Sequence, residues 1–220
     1  MAIKYFDCKG YGQIEPSQVW FTRAGMSESQ CELDPEKFAS NFPMTPAQAA
    51  EGKIYAENGA FLMIDKQNKI ATIPNKAMSD KGYKMGINYS TELIYNQFTP
   101  GRRNFCMIAG EYLPRIGFVE PGMRICTNAV AWDDANFTID PETAGTTDSE
   151  KFYNQVKKNL AAKPDTPIYA YVTNNSNGKL CVGATLANAI GNVYAIITEA
   201  YYNADNTKSF KIMFVNKPTA

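Results

Sequence analysis

The sequence predicts a mainly β fold with one or two short helices, built as small β-barrel or β-sandwich modules behind an extended N-terminal arm. Three observations carry this expectation. Short apolar runs separated by turn residues recur from residue 54 to the end, which is the pattern of many short strands. Helical periodicity is strong in one stretch only, near residues 149–162. Pro16, Pro35, Pro43 and Pro46 interrupt the first fifty-three residues, where no long periodic segment survives. The chain therefore divides into an arm with short strands (1–53), a hairpin-containing segment (54–104) and a barrel or sandwich domain with one capping helix (105–220).

Within the arm, residues 18–22 form the clearest strand. Residues 46–51 suit a short helical connector, with Thr45 as N-cap, Pro46 in the first turn and Gly52 as the stop. Residues 60–64 are continuously apolar, residues 65–68 make a turn, and residues 69–73 return before Pro74. The pattern predicts a hairpin with Asn68 in the left-handed conformation. Its first strand is apolar on both faces, so it requires cover on both sides. Residues 75–104 show no readable period.

Residues 105–109 read as a strand. Residues 115–119 and 123–127 flank Glu120-Pro121-Gly122, where proline presets the first turn position and glycine accepts the positive φ of the next. A second hairpin is expected there, continuing through Trp132. Thr147 and Glu150 have capping-box spacing ahead of Phe152, Val156 and Leu160, and Pro164 limits the helix. Its outward face carries Lys151, Asn154, Lys157 and Lys158. Strands at residues 168–172, 179–182, 193–202 and 209–215 complete the reading, with Phe210, Ile212 and Phe214 on one face of the last.

Composition narrows function by exclusion. The 220 residues include no histidine, which removes the usual general base, the commonest metal ligand and every Ser-His or Cys-His nucleophile pair. Lysine and arginine total 22 against 22 aspartate and glutamate, so no global field favours nucleic acid or an anionic membrane. Cys8, Cys31, Cys106, Cys126 and Cys181 are odd in number, scattered, and lack a Cys-x-x-Cys pair, which suits buried free thiols. The first residues do not form a secretory leader and no window is apolar over a membrane-spanning length, so synthesis in a cytoplasm is expected.

Individual motifs add little. Gly10-Tyr11-Gly12 lacks the strand, helix and third glycine of a dinucleotide loop. Asp133 and Asp134, with Asn136 or Asp140, offer oxygen ligands without the full spacing of a calcium loop. Asn88-Tyr89-Ser90 and Asn136-Phe137-Thr138 fit a glycosylation pattern that has meaning only after secretion. No catalytic, cofactor-binding or metal-binding residue is assigned. Trp20, Trp132 and 13 tyrosines could pack in β cores or present an interface.

Three blocks carry a resemblance: residues 56–65 with the returning strand, residues 112–118 joined to 127–130, and residues 193–201. In these the chain resembles tailed-bacteriophage virion proteins of the head-decoration or auxiliary-capsid type. The resemblance implies a non-enzymatic protein on the capsid surface that binds the major capsid lattice or other virion proteins as a homo-oligomer, without cofactor, nucleic acid or membrane. Neck, tail-tube and baseplate proteins, which build rings from similar β modules, are an alternative, as is a carbohydrate-binding adhesion module. Within the arm, residues 14–22 are the expected docking strand. Ile14 opens it, and Val19, Trp20 and Phe21 are its buried anchors.

Overall fold

The computed structural model describes residues 3–6, 27–28, 31–34, 55–57, 59–88, 106–108, 116–203 and 206–218. The strands are β1 (Ile3–Tyr5), β2 (Ser27–Glu28), β3 (Glu32–Leu33), β4 (Tyr55–Glu57), β5 (Phe61–Asp65), β6 (Ile70–Thr72), β7 (Lys84–Asn88), β8 (Cys106–Ile108), β9 (Ile116–Phe118), β10 (Arg124–Thr127), β11 (Val130–Asp133), β12 (Ile168–Val172), β13 (Leu180–Val182), β14 (Tyr194–Tyr202) and β15 (Lys208–Val215). Two helices, α1 (Lys76–Asp80) and α2 (Asp148–Ala162), and a short 3-10 turn complete the described elements. The fold is mainly β, as expected.

The large sheet has seven strands in the order β1-β11-β13-β12-β14-β15-β10, and the small sheet six in the order β2-β9-β7-β5-β6-β3. Pairing is antiparallel except for β11 with β13 and β3 with β6, and β4 pairs with β8 separately. β1, from the arm, is an edge strand of the large sheet, and β9, from beyond residue 105, lies in the small one. The sheets meet across one apolar core, which gives this junction a sandwich arrangement; elsewhere α2 covers the same face of the large sheet.

Strand β5 holds the two layers together. Side chains alternate along a strand, and its two faces enter different cores. Phe61 and Met63 pack with Phe214, Ile212 and the rest of the large sheet's core, whereas Leu62 and Ile64 pack with Leu33, Ala71, Ile73 and Ile116. All four are no more than 2% exposed, which bears out the expected cover on both faces. Each contributes roughly 1.5–3 kcal/mol of burial. The hairpin to β6 also forms, with Met63 opposite Thr72. Its left-handed residue is Lys69, at φ 57°, rather than Asn68. Asn68 is engaged instead by Asp65, whose carboxylate accepts from the Gln67 and Asn68 amides and from Asn68 Nδ2 at 2.8–3.1 Å.

The second expected hairpin is corrected. Gly122 has φ 92° and the Met123 amide donates to the Glu120 carbonyl, so the predicted turn is present. The strands on either side of it do not pair: β9 joins β7 and β2, whereas β10 joins β15. A turn of this type splays its flanking strands, because its twist opposes theirs. Here it passes the chain from one sheet to the other, pinned by the Gly122 amide on the Phe214 carbonyl. The segment without a readable period contains α1 and β7. The strand expected at residues 18–22 and the connector at 46–51 lie outside the described residues.

Helix α2 begins as its sequence implies. Thr147 accepts from the Glu150 amide at 3.2 Å, but the Glu150 carboxylate reaches one residue further back than a capping box requires, to the amide and hydroxyl of Thr146. Its other oxygen meets Lys208 Nζ at 3.1 Å, tying the helix start to β15. The Thr146 hydroxyl and amide, then Lys208, hold this carboxyl at about 2, against an ordinary 4.5. A depressed carboxyl pKa stabilises the fold fully above pH 4.5, and that contribution is lost as pH falls from 4.5 toward 2. Carboxyl NMR titration should place Glu150 at about 2, and Thr146→Ala should move it upward. A midpoint near 4.5 in the unaltered protein would contradict the arrangement.

Candidate interaction surface

The expected docking residues Ile14, Val19, Trp20 and Phe21 lie outside the described residues. Among the described ones, the surface with recognition chemistry is the face of the large sheet turned away from α2. Registers define it. Tyr171 stands opposite Tyr194 and Cys181, Tyr194 opposite Val215, and Tyr169 opposite Ile196, which in turn faces Met213. The intervening residues Ala170, Ala195, Ile197, Ile212 and Phe214 point into the core.

Two tyrosines at i and i+2 share this face by strand alternation. The rings of Tyr169 and Tyr171 stack at 6.1 Å with 21° between planes, and Tyr194 meets Tyr171 edge-on at 6.0 Å. Tyr171 is buried and Tyr194 half-buried, while Tyr169 remains 37% exposed. The hydroxyl of Tyr171 is pushed up by burial and then by Tyr169 and Tyr194, so it stays neutral. Ile196 and Met213, both half-buried, continue the row. The result is a rigid aromatic and aliphatic strip able to offer contact area together with phenolic hydrogen bonds.

A bulge in β14 between Ile197 and Glu199 then reverses the alternation. Ile196 before it and Glu199 and Tyr201 after it therefore share the outer face. Lys211 Nζ lies 2.7 Å from Glu199 and 4.3 Å from the Tyr201 ring centroid, so the strip ends in a charged, cation-bearing corner. Glu199 is the largest cause of an upward shift at Lys211, which stays protonated. The same reversal sends Tyr202, 49% exposed, to the other side, where it meets Tyr153 of α2.

Nucleophilic chemistry is not prepared here. Cys181, in the Tyr171 row, is buried and its thiol is pushed up to about 12 by burial and then by Asp133, so it does not form thiolate near neutrality. The buried Cys126 thiol sits 3.4 Å from Asn203 Oδ1 and 3.3 Å from Ser209 Oγ, neither of which is a base. Cys31 is also buried. The acidic loop after β11 is organised by its own bonds. Asp133 accepts from the Ala135 amide and Asn136 Nδ2, Asp134 pairs with Lys4, and Asp140 pairs with Lys158. Among the described residues no group of three or more Cys, Asp or Glu side chains converges to hold a metal ion, and no helix is long and apolar enough to cross a membrane.

Sequence reasoning missed this strip although its signal was present: Tyr169 and Tyr171 alternate with Ala170 and Val172. The choice of which alternate set faces outward needed α2 and β5 on the opposite side. In comparisons with known proteins, the chain matches no family model, no curated protein and no solved structure.

Proposed function

We propose that the chain is a non-enzymatic virion structural protein of a tailed bacteriophage that binds the assembled capsid, as a homo-oligomer, and reinforces it by contact. The observation that carries this reading is the exposed ring of Tyr169, backed by buried Tyr171 and flanked by half-buried Tyr194, Ile196 and Met213 on one face of a stiff seven-stranded sheet. Tyrosine supplies contact area at low entropic cost and is enriched at interface hot spots. The blocks that resemble head-decoration proteins supply β5, which joins the two layers, and most of β14, which carries the strip.

Co-sedimentation and negative-stain microscopy with undecorated capsids of the phage that encodes the chain provide the test. Binding in several hundred copies over the head supports the decoration role, ring-like binding at one vertex supports the neck or tail alternative, and no association with any virion part overturns both. Tyr169→Ala should weaken capsid binding by about tenfold or more while leaving the melting temperature nearly unchanged. Unchanged affinity would remove the strip from the contact. The exposed ring of Tyr169 also gives the carbohydrate-binding alternative a specific test, because sugar faces stack on such rings. A glycan array with signal abolished by Tyr169→Ala would favour it over the capsid reading.

A further inference from the structure

We propose that Asn177 is a site of spontaneous, backbone-assisted deamidation, and that its product loosens strand β1. This inference is independent of the capsid reading.

Residues 174–178 form the turn between β12 and β13, with Asn177 at φ 50° and Gly178 at φ 74°. Asn177 is half-buried, and its Nδ2 donates to the Tyr5 hydroxyl at 3.0 Å; that hydroxyl donates in turn to the Asn175 carbonyl at 2.8 Å. Gly178 has no Cβ to hinder its nitrogen, and its N–H makes no hydrogen bond within the described residues.

The reaction needs only water and base. After proton loss to base, the Gly178 nitrogen attacks Asn177 Cγ. The new C–N bond forms, the Cγ–Nδ2 bond breaks, and Nδ2 leaves with a proton as ammonia, closing a succinimide ring. Water adds to either ring carbonyl and opens the ring to aspartate or isoaspartate. The sum is amide plus water to carboxylate plus ammonium, with no change of oxidation state. The turn restrains the reaction, since the Phe61 amide donates to the Gly178 carbonyl at 2.7 Å and the Lys179 amide to that of Ser176. Conversion is therefore slower than in a free peptide and follows opening of the turn.

The consequence follows from donor arithmetic. The Tyr5 hydroxyl has one proton, already given to Asn175, and Asn177 Nδ2 supplies the donor for its lone pair. A carboxylate is acceptor-only, so this bond is lost and the new oxygens compete with Asn175 for the phenolic proton. Strand β1 has three residues at a sheet edge. Among the described residues it is also held by its antiparallel ladder to β11, by Lys179 over the Tyr5 ring, by Lys4 on Asp134 and Asp148, and by Phe6, which is buried in the core and whose amide donates to the Val130 carbonyl.

Wild-type protein is incubated at mildly alkaline pH beside a synthetic Ser-Asn-Gly-Lys peptide, followed by peptide mapping for aspartate and isoaspartate at position 177. The expected result is conversion in both, slower in the protein. Hydrogen exchange at the Phe6 amide should rise roughly fivefold in Asn177→Asp, the factor one lost hydrogen bond supplies. In a Tyr5→Phe background, which lacks the phenolic oxygen, adding Asn177→Asp should leave that exchange unchanged. If Asn177→Asp does not fold, converted wild-type protein separated by ion exchange gives the same reading. An intact Asn177 while the peptide converts overturns the site; unchanged Phe6 exchange after conversion overturns the consequence.

Discussion

Phe152→Ala should lower the unfolding free energy by roughly 3–5 kcal/mol, the largest effect expected of any single truncation in α2. Phe152 is fully buried, stacks on Trp132 at 4.5 Å with 9° between planes, and meets Phe137 and Phe210 edge-on at 5.3 and 5.7 Å. Phe6, next to the edge strand, lies 6.2 Å away. Removing the ring leaves a cavity lined in part by the rings of Trp132 and Phe210, which are held in strands and cannot collapse into it, and forfeits aromatic pairs worth about 0.5–1.5 kcal/mol each. Urea denaturation gives the number, and Phe152→Leu, which refills most of the volume, should recover more than half of the loss. A loss below about 1 kcal/mol for the alanine variant would mean that α2 is not the second layer over this part of the sheet.

Gly178→Ala should cost roughly 2–4 kcal/mol, and for a different reason. At φ 74° any Cβ pays about 1–2 kcal/mol for the left-handed conformation, and here it would also run into the Phe61 carbonyl oxygen. Relief requires moving the turn, which breaks the bond from the Phe61 amide to the Gly178 carbonyl and separates the start of β5 from the large sheet. Gly82→Ala is the matched control, because Gly82 has φ 81° with open space where a Cβ would stand. It should show the conformational cost alone, about 1–2 kcal/mol. Thermal melts compare the two, and equal losses would show that the Gly178 turn does not clamp the sheets together.

The difference between these glycines bears on what could be read in advance. Asn177-Gly178 and Lys81-Gly82 look equally like turn punctuation, yet only one abuts another strand. Gly86 shows the converse. It lies inside β7, where a Cβ would meet Ile116 and stand 2.8 Å from the Gly117 carbonyl, so close approach of β9 requires glycine. That requirement removed the side chain that would have marked an apolar strand, and β7 went unread. The hairpin at residues 61–73, helix α2 and the strands after residue 168 were legible because each is an apolar or periodic run bounded by its own turn or cap. Of the interaction strip, the tyrosine alternation was legible; the arm residues that sequence reasoning favoured lie outside the described structure.

From the sequence alone came the mainly β class, the buried faces of β5 and β15, the cap of α2 and the Pro121-Gly122 turn, since local periodicity, capping and φ preference are properties of neighbouring residues. Which strands pair was decided only in three dimensions. Backbone donors and acceptors are the same on every strand, so nothing local to β9 or β10 distinguishes a shared hairpin from membership of two sheets. That distinction came from where Phe61, Phe152 and Phe210 had to bury their rings, and with it came the choice of tyrosines set on the sheet face away from α2.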